Sequence, residues 1–220
     1  MKVEIWSDIA CPWCYIGKRR FARALENFSH RDHVDIVWRS FELDPAAPRT
    51  PGLPAAEHLA SKYGVSIDEA RAMGANTASA GKKEGLELRF DRVRVANTFD
   101  AHRLIHFAAE EGRAAEMVER LFAAYLTDGA SVADIDTLVG LAVEVGLDGD
   151  ATRSMLEGVR FADAVRADEE RARHFRITGV PFYAIDERYG ISGAQQSELM
   201  LDTLRKAWDE SAVGAEGASN

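Results

Sequence analysis

The sequence predicts an α/β protein whose strands come from the two ends of the chain, with a block of helices between them. Two short runs rich in β-forming residues, VEIWSD (3–8) and VDIVWRSFEL (34–43), flank a helical pattern near the N-terminus. β-type residues return only in GVPFYAIDERYGISG (179–193), while apolar residues recur at helical spacing between about 53 and 177. The first helix is long enough to connect two parallel strands, so the N-terminal part is predicted to be a β-α-β unit.

The middle and the end of the chain have clear boundaries. In LDPAAPRTPGLPAAEHLA (43–60), prolines recur every third residue, which is typical of an extended segment and indicates a domain boundary. Helices are expected to stop at Gly129 and Gly146, and Ser131 with Asp134 is a predicted N-cap pair. A last helix follows in QQSELMLDTLRKAW, and residues 211–220 are predicted to be a disordered tail.

Composition excludes several classes of function. The chain has 220 residues, 46% of them apolar, so it can build a sizeable core. Its net charge of -9 argues against a nucleic-acid partner, which would need clustered Lys and Arg. MKVEIWSD does not have the pattern of a signal peptide, and no segment has the roughly 18 apolar residues of a membrane span. We therefore expect a cytoplasmic protein with no membrane partner.

The two cysteines of the chain, Cys11 and Cys14, lie directly after the first strand. A structural disulfide would close too short a loop to stabilise much, and cytoplasmic disulfides are mostly transient or catalytic. A zinc site would need more ligands than the two cysteines, but His102 and His106, four residues apart on one helix, leave a composite site possible. A second alternative is that the two cysteines are simply buried thiols.

A redox function explains the spacing of the cysteines better. Cys11 comes just before a helix that Pro12 is expected to begin, where unpaired N–H groups and the helix dipole favour a thiolate. Cys14 falls on the same helical face. We expect Cys11 to be exposed and to attack a substrate disulfide, and Cys14 to be more buried and to resolve the mixed disulfide.

A second motif, TGVPFY (178–183), places Pro181 at the start of a strand, where a cis X-Pro bond is plausible. Such a bond would expose the backbone of Val180 for an extended substrate. With CPWC, ISGAQ and the final helix, this motif resembles the DsbA family of thioredoxin-fold oxidoreductases. SDIACPWCYIGKRR and ANTFDAHRL are most similar to its cytoplasmic FrnE-like branch.

The resemblance implies a thioredoxin fold with a large all-helical insertion. Residues 1–45 and 178–210 would form the thioredoxin-like domain and residues 46–177 the inserted helical domain. Cys11 would be the nucleophile, Cys14 the resolving cysteine and Pro181 the cis-proline beside them. Pro12 and Trp13 stand between the cysteines, where periplasmic DsbA proteins have Pro-His. The resemblance therefore does not imply that this protein is as strong an oxidant as those relatives.

Other residues near the motif have alternative roles. Asp8 is a candidate proton relay for Cys14, or a turn-stabilising residue. Trp13 and Val180 are candidate substrate contacts. The resemblance puts the segment with Asn97, His102 and Arg103 near the cysteines, where these residues are further candidate substrate contacts. As local structure, Asn97 would cap a helix and Arg103 would be solvated.

The predicted function is a thiol-disulfide oxidoreductase or isomerase with no metal or organic cofactor. Its partners would be disulfide-bearing proteins or a small thiol such as glutathione. The alternative is a glutathione-dependent transferase or isomerase of the kappa or 2-hydroxychromene-2-carboxylate isomerase type, a related branch with serine at the position of Cys11. A non-catalytic binding module is the third interpretation.

Overall fold

The computed structural model describes residues 1–50 and 52–217, with the backbone alone for 212–217. A four-stranded sheet has the order β2-β1-β3-β4, with β1 parallel to β2 and antiparallel to β3, and β3 antiparallel to β4. The strands are β1 (Lys2–Ser7), β2 (Asp35–Ser40), β3 (Phe182–Ile185) and β4 (Tyr189–Ser192). The helices are α1 (Pro12–Glu26), α2 (Ala55–Tyr63), α3 (Ile67–Lys83), α4 (Phe99–Glu110), α5 (Ala114–Ala123), α6 (Ile135–Glu144), α7 (Gly149–Glu157), α8 (Ala162–His174) and α9 (Ser197–Gly217). This is the thioredoxin fold with a helical insertion that the sequence predicts.

The central strand β1 is buried on both faces because its side chains alternate between two helical layers. Val3 and Ile5 belong to the core that includes residues of α1 and α9. Trp6 points to the opposite face, where it packs with Ala172 and Ala184, and its indole N–H donates to the backbone oxygen of Asp168 at 3.0 Å. Helices therefore cover both faces of the sheet.

Helix α8 packs directly on the sheet, although the sequence assigns it to the inserted block. The Asp168 carboxylate accepts hydrogen bonds from the Arg39 guanidinium at 2.8 Å and from the backbone N–H of Ser40 at 2.9 Å, both on β2. Helix α8 contacts both the sheet and α4, so the packing is continuous across the domain boundary predicted at residue 177.

The ends of several elements follow the sequence. Asp134 caps α6 by accepting from the N–H of Thr137 at 2.8 Å, and Gly129 has the left-handed φ of 76° that ends the helical run after α5. Helix α9 continues through Gly217, so the predicted tail 211–220 is helical over most of its length, and residues 218–220 lie outside the described residues. Among the described residues, no helix is long and apolar enough to cross a bilayer.

A group of contacts with α5 holds the N-terminal half of α1 against the inserted helices. The Tyr15 ring stacks on Phe122 of α5 with centroids 4.9 Å apart. The Tyr15 hydroxyl and the Lys18 ammonium both donate to the Glu119 carboxylate at 2.6 Å. These contacts fix the cysteine-bearing end of α1 relative to the helical block.

Candidate active site

Cys11 is the N-cap residue of α1, and Pro12 is the first helical residue, as predicted. The Cys11 N–H donates to the backbone oxygen of Asp8, and the Cys14 N–H donates to the backbone oxygen of Cys11, each at 3.0 Å. Both cysteines are free thiols. The Cys11 side chain thus lies at the N-terminus of α1, where it makes no capping hydrogen bond.

Both cysteines are buried, which corrects the expectation that Cys11 is exposed. Cys11 is 6% exposed and Cys14 is 2% exposed. They differ instead in what they face: Cys11 lies in the wall of a cavity of about 280 Å³. Cys14 lies behind it in the protein interior and is not among the lining residues. Residues of the inserted helices α2 and α3 line the same cavity.

The Cys14 thiol is held in its protonated form. Burial raises its pKa well above the ordinary value, and the hydrogen bond with Cys11 and the charge on Cys11 raise it further. The backbone of Asp8 and the hydroxyl of Ser7 act in the opposite direction without reversing the shift. Cys14 is consequently a poor nucleophile while Cys11 carries negative charge.

The Val180–Pro181 peptide bond is cis, as the sequence predicts, and lies beside the cysteines. The Cys11 sulfur is 3.6 Å from the backbone oxygen of Val180. Gly17 allows α1 to lie close to Pro181 and Tyr183. A β-carbon at this position would lie 2.6 Å from the Tyr183 hydroxyl and 3.0 Å from a ring carbon of Pro181. The segment before β3 thus packs directly against α1.

Asp8 is 1% exposed and lies in the wall of the cavity. Its carboxylate accepts hydrogen bonds from the backbone N–H groups of Leu43 at 2.7 Å and Ala10 at 3.2 Å. The buried His102 places its Nε2 3.5 Å from the same carboxylate. Burial and the charge of Asp8 raise the pKa of Tyr125, which lines the cavity nearby. The hydrogen bonds from Ala10 and Leu43 agree with the turn-stabilising role predicted for Asp8, while its role as a proton relay stays a prediction.

Two predicted substrate contacts take other roles. The Arg103 guanidinium donates to the backbone oxygens of Met155 at 2.6 Å and Gly158 at 2.7 Å, so it is buried against the end of α7 and is neither solvated nor part of the cavity wall. Asn97 donates to the backbone oxygen of Pro45 and accepts from the N–H of Phe99, which starts α4. Trp13, in contrast, is 43% exposed and lines the cavity.

The residues that sequence reasoning missed are those that form the far side of the cavity. They come from one face of α2 and one face of α3, with Phe90 and Val93 from the following loop. The α2 residues are Ala55, His58, Leu59, Lys62 and Tyr63, at the i, i+3, i+4, i+7 and i+8 positions of one helical face. That spacing was visible in the sequence, but it does not say whether the face packs on a core or borders a cavity.

The histidines considered for a metal site have other contacts. His106 Nε2 lies 3.0 Å from the Asp168 carboxylate and 3.2 Å from the Ser40 hydroxyl. Within residues 1–50 and 52–217, no group of three or more His, Cys, Asp or Glu side chains is arranged to hold a metal ion.

Comparisons with known proteins agree with this architecture. The family model described as DSBA-like thioredoxin domain matches residues 2–205. The crystal structure of the probable DsbA oxidoreductase SCO1869 from Streptomyces coelicolor is 45% identical, with a TM-score of 0.92 over 96% of this chain and 91% of that chain. The uncharacterized protein YwbO of Bacillus subtilis is 30% identical over 93% of this chain and 97% of its own length. The cytosolic disulfide reductase DsbM of Pseudomonas aeruginosa, solved with GSH, is 16% identical, with a TM-score of 0.67 over 95% of this chain and 100% of that chain.

Proposed function

The chain belongs to the DSBA-like thioredoxin family, and from that premise we propose that it is a thiol-disulfide oxidoreductase that works by dithiol exchange between Cys11 and Cys14. The single observation that supports this most strongly is the unequal placement of the two sulfurs. Cys11 caps a helix and faces a cavity, whereas Cys14 lies behind it as a buried, protonated thiol.

In the reductive direction, the Cys11 thiolate attacks one sulfur of a substrate disulfide. A bond forms between Cys11 and that sulfur, and the other substrate sulfur leaves as a thiolate that takes up a proton. Cys14 then loses its proton and attacks Cys11, which forms the Cys11–Cys14 disulfide and releases the second substrate thiol. Two electrons pass from the dithiol to the substrate, and oxidation of a substrate dithiol is the reverse sequence.

The order of the two steps follows from the raised pKa of Cys14. Once Cys11 is in a mixed disulfide it has no charge, and its sulfur is a weaker acceptor for the Cys14 S–H, so the charge no longer raises the pKa of Cys14 and the hydrogen bond raises it less. Burial remains, and a base is still needed. Asp8 is the proton acceptor we assign, because it is a buried carboxylate that lines the same cavity as Cys11 and has His102 Nε2 3.5 Å away.

Pro181 and Val180 would present the backbone beside Cys11 to the substrate, and Trp13 would contact the part of the substrate outside the cavity. No metal or organic cofactor takes part in this exchange. The partner is a disulfide-bearing protein or a small thiol such as glutathione. In the cytoplasm, where we place the protein, the resting form would be the dithiol.

The test is the reduction of insulin by dithiothreitol, followed by turbidity, with wild type, Cys11→Ser and Cys14→Ser side by side. We expect wild type to accelerate precipitation and Cys11→Ser to lose the acceleration. Cys14→Ser, incubated with oxidised insulin in the absence of dithiothreitol, should accumulate as a mixed disulfide because no second thiol resolves it. An inert wild type would contradict the proposal. Saturable glutathione binding with transferase or isomerase activity that survives Cys14→Ser would favour the alternative function.

A further inference from the structure

A buried histidine of the inserted helices lies next to the carboxylate of Asp8. His102 belongs to α4 and is 1% exposed, and its Nε2 is 3.5 Å from a carboxylate oxygen of Asp8. This Nε2 makes no hydrogen bond with any of the described residues. A buried polar atom without a hydrogen bond costs free energy, so its position next to a buried carboxylate calls for a reason.

His102 is also connected with the resolving cysteine. Together with Ser7, the last residue of β1, it lines a small cavity. The buried Ser7 hydroxyl acts on the Cys14 thiol, whose pKa it lowers against the larger effect of burial, and the backbone of Asp8 acts in the same direction. Asp8 and Ser7 therefore link His102 to the thiol that has to lose a proton.

Two buried carboxylates compensate for a charge on the His102 ring. One is Asp8, and the other is Glu42, which follows β2. Burial raises the pKa of Glu42, while attraction to Arg166 and His102 acts against it. Arg39 lines the small cavity with His102, but its guanidinium is bound to two other carboxylates. An imidazolium at this position would therefore have two opposite charges close by.

The proton that Cys14 releases needs an acceptor of suitable basicity. A thiol ordinarily has a pKa near about 8.5, an imidazole near about 6.5 and a carboxyl near about 4. Transfer of a proton from a thiol to a carboxylate alone is therefore much less favourable than transfer to an imidazole. Tyr125 also lies beside Asp8, but burial and the charge of Asp8 raise its pKa, so it stays protonated.

We propose that His102 is a positioning residue for the resolving step, which takes over from Asp8 the proton that Cys14 releases. This inference rests on the proposed exchange function. In the mixed disulfide, the Cys14 S–H gives its proton to the Asp8 carboxylate, and its sulfur attacks Cys11. The Cys11–Cys14 bond forms as the bond from Cys11 to the substrate sulfur breaks, and the substrate leaves as a thiolate.

The proton then passes from Asp8 to Nε2 of His102, which is free to accept it when the neutral ring carries its hydrogen on Nδ1. Loss of that proton to the solvent or to the departing thiolate restores the neutral imidazole. Helix α4 of the inserted block thus takes part in the exchange without touching either sulfur.

The experiment mixes the reduced protein with 5,5′-dithiobis(2-nitrobenzoate) in a stopped-flow spectrometer. Attack by the Cys11 thiolate forms a disulfide between Cys11 and thionitrobenzoate and releases one coloured thiolate. Attack by Cys14 then forms the Cys11–Cys14 disulfide and releases the second. The two phases of the absorbance change therefore give the rates of attack and of resolution separately, on one sample.

We expect the second phase of the wild type to change little between about pH 7 and pH 9, because an internal base takes the proton. His102→Gln keeps a polar side chain beside Asp8 but cannot hold a proton. Its second phase should be at least about tenfold slower at neutral pH and should rise about tenfold per pH unit, since the proton then leaves with hydroxide. The first phase should keep its wild-type rate.

The matched control is His106→Gln. His106 lies one turn further along α4 and contacts Asp168 and Ser40 instead of Asp8, so both phases should keep the pH dependence of the wild type. A second phase that stays independent of pH in His102→Gln would overturn the inference and leave the exchange function intact. A wild type that releases no second thiolate would contradict the exchange function itself.

The wild type alone decides the question if His102→Gln does not fold. The inference requires the rate of the second phase to fall as the pH is lowered through the ordinary titration range of imidazoles, about pH 6 to 7. A rate that stays constant down to about pH 5 would leave the Asp8 carboxylate as the acceptor and overturn the inference.

Discussion

Gly17 lies on the face of α1 that packs against the segment before β3, and the structure predicts that this position cannot accept a side chain. A β-carbon would meet the Tyr183 hydroxyl at 2.6 Å and a ring carbon of Pro181 at 3.0 Å. Neither neighbour has room to withdraw, because Tyr183 is fully buried and Pro181 is bound to the residue whose carbonyl contacts Cys11. Gly17→Ala should therefore disturb both stability and the active site.

The magnitude is the difference between two opposing effects. Replacing glycine by alanine inside a helix stabilises by about 1 kcal/mol. Overpacking a closely packed interior costs about 1–3 kcal/mol, and two contacts near or below 3.0 Å place this site in the upper half of that range. The expected net loss is about 1–2 kcal/mol, which lowers Tm by roughly 2–8 °C for a chain of this size. Exchange activity should also fall as Pro181 shifts relative to Cys11.

Thermal and urea unfolding, with insulin reduction on the same samples, measure these effects. The matched control is Gly140→Ala in α6, where a β-carbon meets nothing within 4 Å and only the helical gain should be seen. Tyr183→Phe removes the clashing oxygen, which has no hydrogen-bond partner among the described residues, and should restore much of the loss in Gly17→Ala. A Gly17→Ala protein that gains stability as Gly140→Ala does would refute the reasoning.

Three further predictions concern other parts of the molecule. Burial alone should keep the pKa of Cys14 above its ordinary value in Cys11→Ser, so the alkylation rate of that thiol should still rise above pH 9; a plateau at lower pH would contradict this. Burial raises the pKa of Glu4, but Arg171 and Arg39 outweigh it and the net pKa is lowered, so this stabilisation is complete above the unfolded pKa and is lost as pH falls through the folded one. Glu4→Gln should cost about 1–3 kcal/mol of unfolding free energy at pH 7, since Arg39 keeps Asp168 and Arg171 keeps Glu187, and less in acid, as urea titrations at both pH values would show. Arg103→Lys should lower Tm by loosening the end of α7 yet leave the rate of Cys11 trapping unchanged, and a selective loss of trapping would restore Arg103 as a substrate contact.

The local features of the active site were predictable because they depend on residues close together in sequence. The start of α1 at Pro12 follows from the fixed φ of proline and its missing N–H. The cap at Asp134 and the stop at Gly129 are likewise local. The strands at the two ends were recognisable because short runs rich in β-forming residues stand out there, while apolar residues between them recur at helical spacing.

The burial of Cys11 and the role of Arg103 were not predictable in the same way. Both depend on how the inserted helices pack on the thioredoxin core, which joins residues more than 40 positions apart. The spacing of Ala55, Leu59 and Tyr63 shows an apolar face of α2 but not what it faces. Arg103 looks like a surface residue until the end of α7 is placed against it.

The central claim is that Cys11 attacks and Cys14 resolves. Its most direct test is intact-mass analysis of Cys11→Ser and Cys14→Ser after incubation with a disulfide-linked peptide, with peptide mapping of any adduct. The account predicts a stable adduct on Cys11 in Cys14→Ser, and none on Cys14 in Cys11→Ser at neutral pH. Equal adducts on both cysteines, or an adduct on Cys14 alone, would contradict it.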